Sequence, residues 1–159
     1  MERSSTFKPF PDPGILPTKP PPAEGERIII QVDGLPPFKG GRHSLRSPKS
    51  PIYQRFVDLR LAATRAMDGR SWYEGDVWLR LTLYLPDQQW PDKLIDDFPI
   101  YYVSGVMDTI DGSHGTSFTY LPIVVQDDRQ VHGLFLSIVD SDKPRYEVEI
   151  SFGECLRLF

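Results

Sequence analysis

The clearest pattern in the chain is a strict alternation of apolar and polar residues from Val77 to Leu85. Successive side chains of a β-strand point to opposite faces, so this alternation predicts a strand with one buried face. Shorter β-branched or apolar runs predict four more strands, at Arg27–Val32, Leu121–Gln126, Val131–Val139 and Arg145–Phe152. The turn-forming sequence DSDKP at residues 140–144 predicts a hairpin between the last two strands.

Two other segments repeat apolar residues at helical spacing. The first follows Ser50-Pro51, which is a typical helix start, and runs to Met67 before Asp68-Gly69. Its outward face is predicted to carry three arginines, Arg55, Arg60 and Arg65. In the second helix Asp97 is the predicted cap. Its apolar positions run from Ile100 to Ile110, and Asp111-Gly112 ends it.

The elements therefore follow the order β-α-β-α-β-β-β without a repeat. This order predicts an α+β domain, in which a mixed, mostly antiparallel sheet carries two helices on one face. Residues 27–159 are long enough for a single domain with its own core. Seven of the 16 prolines fall before residue 23, so residues 1–26 are predicted to be a disordered, proline-rich tail.

Composition narrows the class of protein further. Cys155 is the only cysteine among 159 residues, which excludes an intrachain disulfide and favours a reducing cytoplasm. The chain has no apolar run long enough to cross a membrane and no apolar core of a signal peptide. The net charge of −4 does not indicate nucleic-acid binding by the whole chain. A local cluster of bases nevertheless lies in one loop, at Lys39, Arg42, Arg46 and Lys49.

Two pairs of adjacent aspartates are candidate metal ligands. Asp96-Asp97 precedes the second predicted helix, and Asp127-Asp128 follows the third predicted strand. Carboxylate oxygens are the ligands that Mg²⁺ and Mn²⁺ prefer, and a cation relieves the repulsion between neighbouring carboxylates. Each pair also has an ordinary structural explanation, as a helix cap or as a turn.

Asp108 has a different interpretation. It lies eleven residues after Asp97, and at 1.5 Å per residue the two are roughly 16 Å apart along the helix. Asp108 is therefore not expected to share an ion with Asp97, and we predict that it faces solvent or a basic partner.

The order of elements and the sequence DDRQV at residues 127–131 resemble the RusA family of Holliday-junction resolvases over roughly residues 27–152. The helix-end sequence MDTIDG at residues 107–112 occupies a matching place. The resemblance implies a dimeric α+β endonuclease, with Asp128 at a metal-binding position. Asp96 or Asp97 fits another metal-binding position only with a two-residue insertion. The helix lysine of the family has no counterpart, because no lysine lies between Lys93 and Lys143.

Three functions follow from these observations. The first is a homodimeric endodeoxyribonuclease that cuts branched DNA with Mg²⁺ or Mn²⁺. In it Asp97 and Asp128 are catalytic, and the metal is held by Asp96, Asp97, Asp127 and Asp128. The basic residues Lys39, Arg42, Arg46 and Lys49 would bind the DNA backbone. The second is a RusA-like module that binds DNA or protein without catalysis. The third is a structural domain in which every acid is a cap or a turn residue.

Overall fold

The computed structural model describes residues 16–38, 49, 52–86, 98–111 and 121–153. Its elements are β1 (Arg27–Asp33), α1 (Tyr53–Met67), β2 (Val77–Leu85), α2 (Phe98–Ile110), a 3-10 turn (Asp128–Gln130), β3 (Val131–Asp140) and β4 (Arg145–Phe152). The predicted α+β class is confirmed. Both helices and four of the five predicted strands are present, with bounds within one or two residues of those predicted where both ends are described.

The four strands form one mixed sheet in the order β1-β4-β2-β3. β4 pairs antiparallel with β1 on one side and with β2 on the other, and β2 pairs parallel with β3. The two central strands are the ones whose alternate side chains are fully buried. These side chains are Val77, Leu79, Leu81, Leu83 and Leu85 of β2, and Tyr146, Val148, Ile150 and Phe152 of β4.

The predicted hairpin between β3 and β4 is wrong, because β2 lies between them. The segment that joins them crosses the end of β2, where the Ser141 amide donates to the Leu85 carbonyl at 3.0 Å. Burial explains this order. A hairpin of β3 and β4 would put β2 at an edge of the sheet. β2 is the most apolar strand, so it gains most from a central position.

The strand predicted at Leu121–Gln126 is also wrong. Val125 makes only an isolated bridge to Tyr73. The amides of Ile123 and Val124 instead donate to the carbonyl of Ile110, at 3.2 and 3.0 Å. The apolar side chains of this segment are buried as a strand's would be, but the end of α2 takes the place of a neighbouring strand.

Both helices cover the same face of the sheet. A continuous core joins the buried sides of the strands to Leu59, Ala63 and Met67 of α1 and to Val103, Val106 and Ile110 of α2. α1 ends as predicted, because Asp68 adopts a left-handed conformation and Gly69 follows with positive φ. Ile52, at the N-cap position of α1, has an apolar side chain that makes no cap hydrogen bond, and the predicted start at Ser50-Pro51 lies outside the described residues.

Only the end of the predicted N-terminal tail, residues 16–26, lies within the described residues. Residues 1–15 lie outside the described part of the chain, but the segment after them is bonded to the domain. The amides of Thr18 and Lys19 donate to the Gly69 carbonyl, and the Gly25 amide donates to the Phe152 carbonyl at 2.7 Å. Backbone amides of this proline-rich segment therefore bind carbonyls of the domain.

The helices of the described chain, α1 and α2, are both too short or too polar to cross a membrane.

Candidate metal centre

The C-terminal end of α2 carries two acids in a buried position, one in the last turn and one directly after it. Asp108 is 5% exposed and Asp111, directly after the helix, is fully buried. Residues three apart lie on the same side of a helix, so the two carboxylates point in the same direction. The last turn has no basic residue, and the C-terminal end of a helix carries partial negative charge.

A third carboxylate joins them from a different element. Asp128, the first residue of the 3-10 turn before β3, brings an oxygen to within 4.8 Å of oxygens of both Asp108 and Asp111. Mg²⁺, with bonds of about 2.1 Å, holds ligand oxygens about 3.0 Å apart at right angles and about 4.2 Å apart across the ion. The oxygens of the cluster all lie within 4.8 Å of one another, close to the larger of these two spacings, which makes the cluster a candidate site for one divalent cation. We call these three residues the acidic cluster.

Backbone hydrogen bonds fix the distance between the two parts of the acidic cluster. The Ile110 carbonyl, between Asp108 and Asp111, accepts the amide of Val124 at 3.0 Å. The Val124 carbonyl in turn accepts the amide of Tyr73 at 2.8 Å. The end of α2 is thereby bonded to the segment that leads to Asp128, and that segment is bonded to the chain before β2.

A buried arginine of α1 is bonded to the backbone of the same region. Arg60 of α1, predicted on the outward face, is only 1% exposed, so that prediction is wrong. Its guanidinium donates to the carbonyl of Thr109 at 3.1 Å and to the carbonyl of Leu121 at 3.0 Å. One guanidinium therefore binds carbonyls at both ends of the α2–Leu121 connection. Such carbonyls are acceptors of the kind that a buried guanidinium requires.

Asp127 takes a structural role. Its side chain accepts the backbone amide of Arg129 at 2.9 Å and the Arg129 guanidinium at 2.9 and 3.2 Å. These bonds to Arg129 hold the pKa of the Asp127 carboxyl well below its ordinary value. Asp127 caps the 3-10 turn, and it is not part of the acidic cluster.

Only some of the predicted site residues lie in the described part of the chain. Asp128 lies in the acidic cluster, and Lys49 is exposed. The remaining predicted ligands and DNA contacts lie outside the described residues; they are Asp96, Asp97, Lys39, Arg42 and Arg46. The prediction that Asp108 faces solvent is wrong, because its side chain is buried beside Asp128.

Sequence reasoning missed Asp108 and Asp111 as possible ligands. Along the helix Asp108 lies far from Asp97, and Asp111 has the sequence context of a helix stop. A signal was present in the sequence. Two acids three residues apart at the C-terminal end of an apolar helix oppose the helix dipole, and such a choice needs a cation or another compensating partner.

Comparison with known proteins adds no assignment: neither a protein-family model nor a curated protein matches the chain.

Proposed function

We propose that the protein is a metal-dependent endodeoxyribonuclease that acts on branched DNA, with Mg²⁺ or Mn²⁺ bound at the acidic cluster. The observation that carries the proposal is the meeting of three carboxylates from two elements, two of them buried, within 4.8 Å. Carboxylate oxygens are the ligands that Mg²⁺ and Mn²⁺ prefer, and three of them so close together can share one divalent cation. The resemblance to RusA-family resolvases supplies the substrate class.

The residues of the chain have distinct roles in this proposal. Asp108 and Asp111 hold the cation from the α2 side, and Asp128 holds it from the turn. A cation held there would supply activation of water and neutralisation of charge on a phosphodiester. Asp128 is half-exposed whereas the other two are buried, so substrate would approach from the side of Asp128.

The remaining parts of the proposal come from the sequence. Lys39, Arg42, Arg46 and Lys49 would contact the phosphate backbone of the junction across a dimer of the chain. Binding to phosphates releases counterions from DNA, and the free energy gained by this release shrinks as the salt concentration rises. DNA affinity should therefore fall steeply between about 50 and 200 mM salt. The cytoplasm is the proposed compartment, because Cys155 has no cysteine to pair with in the chain.

The decisive experiment is cleavage of a synthetic four-way DNA junction by the full chain, with Mg²⁺, with Mn²⁺ and with EDTA. Wild type should cut only with a metal. Asp128→Asn and Asp108→Asn should each reduce the rate by roughly 100-fold or more, because each removes a ligand charge from the ion. Asp97→Asn, assayed in parallel, measures whether the sequence-predicted ligand is also needed.

Asp142→Asn is the matched control, since Asp142 is an exposed acid in the turn between β3 and β4. It should cut at the wild-type rate. Metal-dependent cutting that survives both Asp128→Asn and Asp108→Asn would show that the acidic cluster is not the active site. Absence of cutting by wild type on junctions, forks and flaps would contradict the nuclease itself.

A second candidate, a binding module without catalysis, is favoured by one observation. On the sheet face opposite the helices, arginines pair with glutamates: Arg27 and Arg80 with Glu149 at 2.7 and 3.6 Å, and Arg145 with Glu147 at 3.4 Å. Such a neutralised face suits a protein partner better than a phosphate backbone. In the junction assay, neither binding nor cleavage of DNA at any concentration of divalent metal would support this protein-binding candidate over the nuclease.

A further inference from the structure

The side chain of Gln130 uses its full hydrogen-bonding capacity on backbone atoms. Its oxygen accepts the amides of Gln126 at 2.8 Å and Asp127 at 3.0 Å. Its nitrogen donates to the carbonyls of Tyr73 and Gly75, both at 2.8 Å. A carboxamide has two donors and an oxygen with two acceptor sites, and here all four are engaged. The donor half joins segments that are more than fifty residues apart in the sequence.

These bonds close a loop around Asp128. Tyr73 holds both ends of residues 124–130, because its amide donates to the Val124 carbonyl and its carbonyl accepts from Gln130. Val124 is bonded to the Ile110 carbonyl at the end of α2. A continuous path of hydrogen bonds therefore runs from the element that carries Asp108 and Asp111 to the turn that carries Asp128.

Tyr73 itself is a firm anchor. Its ring packs on the Phe152 ring, with centroids 5.0 Å apart, and Phe152 is a fully buried residue of the central strand β4. Gln130 and Tyr73 thus connect the turn that carries Asp128 to the central strand β4. Without Gln130, the Asp127 cap and the turn's own backbone bonds would still form the turn, but nothing in the described chain would fasten the turn to Tyr73 and Gly75.

We propose that Gln130 is a positioning residue for the acidic cluster: it sets the place of the Asp128 carboxylate relative to Asp108 and Asp111 and thereby sets the affinity of the cluster for a divalent cation. This inference rests on the proposed metal site. Residues that orient metal ligands from behind affect metal affinity by about 10- to 100-fold. Gln130 does so through the backbone of the turn rather than by touching a ligand.

The test is Mn²⁺ binding by titration calorimetry, together with thermal unfolding in EDTA, on the full-length chain. Gln130→Met keeps the length of the side chain and loses all four bonds. We expect it to weaken Mn²⁺ binding by about 10- to 100-fold. Gln130→Asn keeps the carboxamide but cannot reach both sides at once, and we expect a smaller loss. This second variant keeps the test valid if Gln130→Met folds poorly.

Arg70→Met is the matched control. Arg70 also fastens backbone with its side chain, donating to the carbonyls of Met67 at 2.9 Å and Ala66 at 3.2 Å, but at the end of α1. It should lower the unfolding temperature in EDTA while leaving Mn²⁺ affinity within about twofold of wild type.

Three results would overturn the inference. Gln130 variants that unfold earlier in EDTA yet bind Mn²⁺ like wild type would show a purely structural role. An equal loss of Mn²⁺ affinity in Arg70→Met would show a general effect of destabilisation. Wild type that binds no Mn²⁺ would remove the metal site itself and the positioning role with it, and this outcome is visible before any variant is measured.

Discussion

At the scale of single residues, the two adjacent carboxylates of the motif that predicted a metal site, Asp127 and Asp128, have different roles. Asp127 binds Arg129 and caps the 3-10 turn, whereas Asp128 extends to the acidic cluster. Adjacent residues in such a turn point in different directions, so one pair of acids can serve structure and ligand binding at once. The doublet is best understood as one cap and one candidate ligand.

The ion pair at Asp127 gives a pH prediction. The Arg129 guanidinium lowers the pKa of Asp127 in the folded protein below its ordinary value of 3.8. A lowered folded-state pKa stabilises the fold above the unfolded-state pKa, and that stabilisation disappears as pH falls through the folded-state value. The difference in unfolding free energy between wild type and Asp127→Asn should therefore be constant near neutral pH and shrink below about pH 4.

Urea unfolding of both proteins between pH 7 and pH 3 measures this difference. Asparagine can still cap the turn, so the substitution removes the charge and leaves the cap. A difference that grows as the pH falls would contradict the assignment.

A buried hydroxyl gives a second residue-scale prediction. Tyr146 in β4 is fully buried, and none of the described residues forms a hydrogen bond with its hydroxyl. Burial, with the charge of Asp58 nearby, raises the pKa of Tyr146 far above its usual value, so the group stays neutral. Tyr146→Phe removes an unsatisfied polar atom and should increase the unfolding free energy by about 1 kcal/mol.

Tyr84→Phe is the control, because it removes the same atom from a half-exposed side chain on the other sheet face. Its unfolding free energy should stay within about 0.5 kcal/mol of wild type. If Tyr146→Phe instead lost more than about 1 kcal/mol, the hydroxyl would have a partner that stabilises the fold.

At the scale of elements, Gly105 shows why a residue of low helix propensity stands in the middle of α2. A Cβ atom at this position would lie 2.1 Å from the Pro37 carbonyl oxygen and 2.5 Å from its carbon. The segment after β1 therefore crosses α2 in direct backbone contact. Edge-to-face stacking of Phe38 on Tyr101 and Tyr102, at 5.2 and 5.3 Å, continues the contact.

Gly105→Ala should consequently destabilise the protein, although alanine favours helix by about 1 kcal/mol over glycine. Pro37 backbone cannot give way as a flexible side chain can, so we expect a net loss of about 1 to 3 kcal/mol in chemical unfolding. Ser104→Ala, one residue earlier in the same helix, should change stability by less than about 0.5 kcal/mol. A stabilised Gly105→Ala would mean that the Pro37 segment does not lie against α2.

The same elements show what the sequence could predict. Side-chain periodicity is local, and it predicted α1, α2, β2 and β4 closely, since each buries one face at a regular interval. Pairing partners are not local. The 121–126 segment has the composition of a strand but is bonded to the end of α2. For the same reason, the position of Asp108 along α2 could not predict that Asp128, which belongs to another element, lies beside it.

At the scale of the whole molecule, the sheet joins the two ends of the described chain. β1 pairs with β4 from Arg27↔Ser151 to Asp33↔Arg145, and β4 then pairs with β2. Contacts between residues more than a hundred positions apart must form before the central strands are complete. Such topology makes folding slow, and it makes the central strands the last to open, because they are paired on both sides.

Hydrogen exchange provides the test at this scale. The slowest amides should belong to β2 and β4, whose core-facing side chains are fully buried. The outward amides of β1 and β3 should exchange faster, because these strands are edges, and β3 also exposes Leu134, Phe135 and Val139. Addition of Mn²⁺ should slow exchange around residues 123–130 more than in β1, since the cation would join this segment to the end of α2. Equal protection of the edge and central strands would contradict the strand order. Mn²⁺-dependent slowing confined to β1 would contradict the placement of the metal site.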